Sequence, residues 1–318
     1  MFTTKHKMRQ ATVVLPAGMA GRIRDAKQRR WLSRSTLHHS GTPVEMFSRV
    51  LPAIGISPPE EGLAALRLWG QTGDRPNVWI AAADPVHLEP RLDHLCLHAL
   101  EGPQSPKSDL RAIFDFLQNS LGTDSNFAFA RIGRHGYLRG DSAIATAALS
   151  ASVLDGLEPD EYMPAVEDTA AYLTLTSELQ MSLHEHEVNI RREAEGLLPV
   201  NSVWLWGGGR APEKKVQVLP PFFGNDPLFQ GYWESCTGVV APWPGNFSEC
   251  LDFAVKDFVV VTPVSDEREL LGIWLEELRG HLGSGRLDRL VLLFRDGLTA
   301  ELGRFDAFRF WRRSSELL

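Results

Sequence analysis

Residues 178–209 read ELQMSLHEHEVNIRREAEGLLPVNSVWLWGGG. Upstream and into this stretch, Leu173, Leu175, Leu179, Met181 and Leu183 recur near helical spacing, and from Glu167 no glycine or proline intrudes before Gly196. The spacing predicts one long helix that stops at Gly196 and Pro199. Residues 203–206 then read as a buried strand, and Gly207, Gly208 and Gly209 as the tight turn that ends it. A polar helix feeding an apolar strand is the unit from which α/β folds are built.

The same alternation runs on toward the C-terminus. Residues 238–241 and 258–261 read as strands, and residues 266–281 as an amphipathic helix carrying Leu270, Leu271, Trp274, Leu275 and Leu278 on one side. Strands at 290–294 and 298–302 flank Arg295, Asp296 and Gly297, a hairpin turn, and residues 308–313 read as an edge piece. In the other direction, 11–15 is a β-branched strand closed by Pro16 and Gly18. Helices are expected at 43–51 and 60–69, separated by Pro58 and Pro59. Residues 77–82 read as a strand, Asp84 and Pro85 as the turn after it, and 92–97 as the returning strand. Ser108 caps a helix that ends at Gly122, and 127–138 holds two strands around Gly133. The pattern predicts an α/β fold with a mixed sheet flanked by helices. An N-terminal region, 1–75, would pack on a main domain, 76–318.

Composition narrows the function. The formal net charge of −7 excludes nucleic acid and an anionic membrane as principal partners, because both need a basic surface. Lys27, Arg29, Arg30 and Arg34 form a cluster that reads as a solvated helix face. Cys96, Cys236 and Cys250 are too few and too widely spaced for a disulfide framework and suit a reducing compartment. The first residues lead only to a short, interrupted apolar run, so the expectation is a cytoplasmic protein with neither signal peptide nor membrane helix.

Two segments carry candidate chemistry. In the first, His184 and His186 lie two apart on a helix and point about 200° apart, which rules HEHE out as a zinc motif. The three glycines let backbone N–H groups approach a ligand closely, with Arg210, Lys214 and Lys215 to supply charge. They match neither a P-loop nor a dinucleotide fingerprint. Asn201, Trp204 and Trp206 sit beside the strand end. The second segment is ADPVHLEPRLDHLCLH at 83–98, where Asp84 at a strand end is a common place for a functional carboxylate, with His87, Asp93, His94 and His98 nearby. Their spacings are too loose for a metal motif, and no metal ligand is assigned. No nucleophile motif is present.

On these residues the chain resembles a bacterial family of RpfE-type regulatory proteins (regulation of pathogenicity factors), several of which carry names as cofactor-independent phosphoglycerate mutases. VNSVWLWGGG is the most specific match. WIAAADPVHLEPRLDHLCL, GYLR at 136–139, ELQMSLHEHEVN and LDRLVLLFRDGLTAELGRFDAFRFWRR extend it over most of the chain from about residue 75. More loosely it resembles archaeal-type mutases, whose order of His, Asn, Arg, Gly, Asn, Trp and Gly falls here on His186, Asn189, Arg191 or Arg192, Gly196, Asn201, Trp206 and Gly207. That resemblance implies an alkaline-phosphatase-like architecture, two metal ions, a transiently phosphorylated Ser or Thr, and an Asp–Gly metal site just after the first strand. Here ATVVL is followed by PAGMAG, with no acidic residue before Asp25.

The leading expectation is therefore a degenerate mutase-like architecture serving as a non-catalytic, metabolite-sensing regulator. It would hold a small phosphate or carboxylate ligand through Asp84, His87, His186, Asn189, Arg191, Arg192, Asn201, Trp206, Gly207, Gly208, Gly209 and Arg210. No cofactor is expected. The alternative is a metal-dependent phosphoglycerate mutase, the one reading that calls for divalent metal. A further alternative is a protein-interaction module using the aromatic ending at 305–311.

Overall fold

The QATVVL run becomes β1 (Gln10–Leu15), buried from Ala11 onward, as a β-branched run does inside a parallel sheet covered on both faces. It is followed by α1 (Ala26–Leu32), β2 (Thr36–His39) and α2 (Met46–Ala53). The computed structural model describes residues 8–100, 102, 105–122, 126–164, 169–265 and 268–308. The chain divides into two compact units, one from the described parts of Met1–Pro58 and Lys214–Leu318, the other Pro59–Glu213. The divisions thus fall at residues 58 and 213, where the sequence reading placed one near 75. The second unit is an insertion in the first, and the Pro58–Pro59 pair that reads as a helix breaker marks its entry.

The inserted unit contains α3 (Leu63–Thr72), β3 (Trp79–Pro90), β4 (Leu95–Ala99), α4 (Lys107–Leu121), β5 (Phe127–Ile132), β6 (His135–Gly140), α5 (Thr169–Leu183), α6 (Glu187–Ala194) and β7 (Ser202–Gly209). Its antiparallel strands run β4-β3-β6-β5, with β7 also paired to β3. Leu110, Ile113, Phe114, Leu117, Leu175, Leu179 and Leu183 from α4 and α5 cover one face through Trp79, Ala81 and Ala83.

Three local expectations are corrected here. Asp84 and Pro85 are not a turn, because β3 runs straight through them. On one edge of β3, pairing with β6 ends at Ala82 and pairing with β4 begins at Val86; Pro85 faces that gap with its missing N–H while it stays opposite Val203 in the β7 ladder on the other edge. The long helix is two helices: α5 ends at Leu183 and His186 caps α6, its Nδ1 accepting from the Val188 N–H at 3.2 Å. The three glycines do not end β7 but form its last residues, with Gly209 paired to Ile80.

The first unit continues with β8 (Phe222–Phe223), α7 (Pro227–Ser235), β9 (Val240–Ala241), α8 (Phe247–Phe253), β10 (Phe258–Val261), α9 (Arg268–Gly283), β11 (Arg289–Phe294) and β12 (Leu298–Gly303). Its sheet runs β2-β12-β11-β1-β10-β8-β9. Strands β11, β1, β10, β8 and β9 are parallel, and the hairpin at Arg295, Asp296 and Gly297 returns β12 antiparallel. Leu32, Phe247, Leu251, Leu271, Leu275 and Leu278 pack on one face; on the other, Phe229 and Trp233 pack against Phe222, with Phe47 edge-on to Phe229. The mixed α/β fold expected from the sequence is what the structure shows. Arg304–Phe308 is a single 3-10 turn, and residues 309–313 of the expected edge piece lie outside the described residues. Among the described residues, no helix is long and apolar enough to cross a membrane.

Candidate functional site

Asp84, singled out from sequence, sits at the centre of a buried polar cluster. It is buried on β3, and Arg67 from α3 reaches its Oδ1 at 2.8 Å. Trp206 on β7 donates its indole N–H to Oδ2. The Arg67 guanidinium lies over the rings of Tyr137 and Trp206, 4.9 and 5.3 Å from their centres, and donates to the Gly136 carbonyl at 3.0 Å. One helical turn on, Gln71 accepts from the Tyr137 hydroxyl and meets His135 Nδ1, both at 2.6 Å. Because Gln71 Oε1 is taken by Tyr137, its amide N–H faces His135, which therefore carries its proton on Nε2. Burial first, then the nearby Arg67 charge, drops the His135 pKa to about 4. In the sequence His135 has no assigned place and Tyr137 enters only through the GYLR match, while Arg67 and Gln71 draw no notice. The available signal was the four-residue spacing of Arg67 and Gln71 on an otherwise apolar helix.

The other expected residues do not gather around Asp84. His186 and Asn201 line an open groove of about 1280 Å³ together with Leu88, Phe116, Asn119 and Gln180. His186 is edge-on to Phe116 at 4.7 Å, and burial pulls its pKa down. Asn201 brackets Leu88, accepting its N–H at 2.8 Å and donating to its carbonyl at 2.9 Å. His87 Nδ1 lies 3.0 Å from the Pro199 carbonyl, away from Asp84.

Asn189, Arg191 and Arg192 brace α6. Asn189 is buried, donates to the carbonyls of Leu183 and Val200, and accepts from the Val200 N–H, all at 2.8 Å. It thereby gives the Leu183 carbonyl, where α5 ends, a second donor beside the His186 N–H. Arg191 and Arg192 both reach Asp109 on α4, at 2.6 and 3.5 Å, and Arg192 also donates to the Leu198 carbonyl. Arg210 donates to the Asn77 carbonyl.

The expected ligand cradle at the glycines is corrected. The Gly207 N–H donates to the Ala147 carbonyl at 2.9 Å and the Gly208 N–H to Thr146 Oγ1 at 2.9 Å, so neither is offered to an anion. These glycines serve packing. The start of α3 comes so close that a Cβ on Gly209 would sit 2.4 Å from the Gly62 nitrogen.

In the first unit, β8 leads through α7 outward to β9, whereas β10 leads through α9 back across β1 to β11. The reversal between β8 and β10 is a topological switch point, where doubly wound sheets bind ligands at their carboxyl ends. Asp226 follows β8, Thr262 follows β10 and Arg295 follows β11. Arg295 donates to the Thr262 carbonyl at 2.9 Å, while its Nε is buried without a partner. Burial lowers the pKa of Arg295, opposed by the charge of Asp226. In the sequence Arg295 reads only as a turn residue; its place at this edge comes from the strand order.

No protein-family profile matches the chain. The "Probable 2,3-bisphosphoglycerate-independent phosphoglycerate mutase" of Geobacter sulfurreducens is 27% identical over 128 residues, covering 40% of this chain and 32% of that protein. The 2,3-bisphosphoglycerate-independent phosphoglycerate mutase of Methanosarcina acetivorans is 36% identical over 63 residues, 20% of this chain and 16% of that protein. The chain is distantly similar to cofactor-independent phosphoglycerate mutases. The match spans a third or less of these relatives' length. Among solved structures, the PH0037 protein from Pyrococcus horikoshii aligns over 93% of this chain and 88% of that chain at 14% identity, with a TM-score of 0.53. A cofactor-independent phosphoglycerate mutase from Thermoplasma acidophilum aligns over 92% and 89%, also at 14% identity, with a TM-score of 0.41. The similarity to mutases overturns the expected non-catalytic regulator and favours the mutase-like alternative.

Proposed function

We propose that this chain is a phosphoglycerate mutase-like enzyme that acts on a small phosphorylated hydroxy acid. The observation that carries the reading is the 128-residue match to a mutase-named relative. The switch point between β8 and β10 supports it, because it puts an anchored arginine where α/β sheets take their ligands. Arg295 is held at one end by the Thr262 carbonyl and keeps Nε–H for an anionic oxygen. A guanidinium there neutralises phosphate charge and fixes its orientation. His186 and Asn201, which line the groove of the inserted unit, are proposed as contacts for an organic ligand.

A two-metal centre of the kind the resemblance implies does not fit the residues described at this sheet edge. The loop after β1 supplies no carboxylate before Asp25, which caps α1 through the N–H groups of Lys27 and Gln28. Asp296 Oδ2 accepts from the N–H groups of Gly18 and Met19 at 2.7 and 2.6 Å, leaving Oδ1 buried without a partner, and Asp226 caps α7; one open carboxylate oxygen does not make a two-metal donor set.

Calorimetric titration with 3-phosphoglycerate and an enolase-coupled assay test the proposal. Binding with turnover is the expected result, and Arg295→Ala should weaken binding roughly 10- to 100-fold, the worth of one charged hydrogen bond. Absence of both binding and turnover would remove the reading.

A further inference from the structure

The β3–β4 hairpin carries a set of donors that the mutase-like reading does not use. In its antiparallel register His87 stands opposite His98, and Glu89 opposite Cys96. Side chains two apart on a strand share a face, so all four lie on one side of the hairpin. Leu88 and Leu97, also paired, lie on the other.

Three of them already converge. One donor atom each from Glu89, Cys96 and His98 lies within 4.8 Å of the others, and Glu89 Oε2 is 2.8 Å from His98 Nε2. A tetrahedral zinc with bonds of about 2.0–2.3 Å holds its donors roughly 3.3–3.8 Å apart, so small side-chain rotations close the set. His87 is the neighbouring imidazole, its ring centre 6.2 Å from that of His98. Its Nδ1 is engaged by the Pro199 carbonyl, the arrangement that orients a metal-bound histidine and leaves Nε2 as the ligand. Arg91, half exposed, also donates to Glu89 at 2.7 Å and is the group a cation would displace.

We propose that Glu89, Cys96 and His98, with His87 as fourth donor, form a zinc site that clamps β3 to β4. The donor chemistry selects the ion. One thiolate with imidazole nitrogen and a single carboxylate suits zinc, whereas magnesium and calcium take all-oxygen sets. The site lies wholly within the inserted unit and is independent of any mutase activity.

The full chain, stripped with a chelator, is titrated with zinc against a chromophoric competitor and, separately, with cobalt. One zinc per chain should bind, and cobalt should give a thiolate-to-metal charge-transfer band in the near ultraviolet. Cys96→Ser should abolish that band, and Glu89→Gln and His98→Gln should each weaken zinc at least tenfold. Glu89 and His98 are partly exposed, so these two variants keep the reading independent of any folding defect at the buried Cys96; circular dichroism checks both. Zinc uptake by wild type no greater than by the Glu89→Gln/His98→Gln double variant overturns the proposal. So does a charge-transfer band that persists in Cys96→Ser.

Discussion

Arg67 and Asp84 form an ion pair at 2.8 Å with both side chains almost wholly removed from solvent. Besides each other, Asp84 has the Trp206 indole N–H, and Arg67 has the Gly136 carbonyl and the rings of Tyr137 and Trp206. Removing one partner leaves the other charge buried without its opposite. Asp84→Ala and Arg67→Ala should each lower stability by about 3–5 kcal/mol, and the double variant by much less than the sum. Urea denaturation of the four proteins measures the coupling, and additive losses would show that the pair does not act as one unit.

His135 makes the inserted unit acid-sensitive. Its folded-state pKa of about 4 lies below the ordinary 6.5, so the unfolded chain binds the proton more readily. The contribution is therefore fully present above about pH 6.5 and is lost as pH falls toward 4, with an upper bound of about 3 kcal/mol. Protonation would also set an Nδ1–H against the Gln71 amide. In His135→Gln the slope of stability against pH between 4 and 6.5 should flatten; an unchanged slope would assign acid sensitivity elsewhere.

Asn189 closes the break between α5 and α6 with three hydrogen bonds. Asn189→Ala strands the Val200 carbonyl and N–H in a buried setting and leaves the Leu183 carbonyl with the His186 N–H alone, at an expected loss of about 2–4 kcal/mol. Asn189→Asp keeps the acceptor for the Val200 N–H but sets a buried carboxylate oxygen against two carbonyl oxygens, and should lose at least as much as Asn189→Ala. Thermal melts of the three proteins give the order directly.

Two glycine substitutions separate backbone strain from crowding. Gly196 has φ +73 with open space where a Cβ would stand, while Gly209 has φ +151 and a Cβ there would meet the Gly62 nitrogen at 2.4 Å. Gly196→Ala should cost about 1–2 kcal/mol, the penalty for left-handed backbone. Gly209→Ala should cost clearly more, because α3 must also move away from β7. Equal losses in denaturant titrations would show that close packing of α3 on β7 contributes little.

Much of this protein was legible in the chain itself. The apolar runs of β1, β10 and β11, the amphipathic face of α9 and the Arg295–Asp296–Gly297 hairpin follow from local patterning, because burial on one face or both is written into neighbouring residues. Tertiary structure alone decided the rest. Pro85 reads as a turn until two ladders are seen to meet beside it, and the HEHE string reads as helix until Asn189 takes up the Leu183 carbonyl. Arg67 lies 17 residues from Asp84, and Trp206 lies 122 residues away. Glu89 faces Cys96 only once the strand register is known. Covalent neighbours set which segments bury and which turn. Which charge meets which, and which donors share a face, depends on pairing between distant segments, where packing and hydrogen-bond satisfaction select one register from many that local pattern allows.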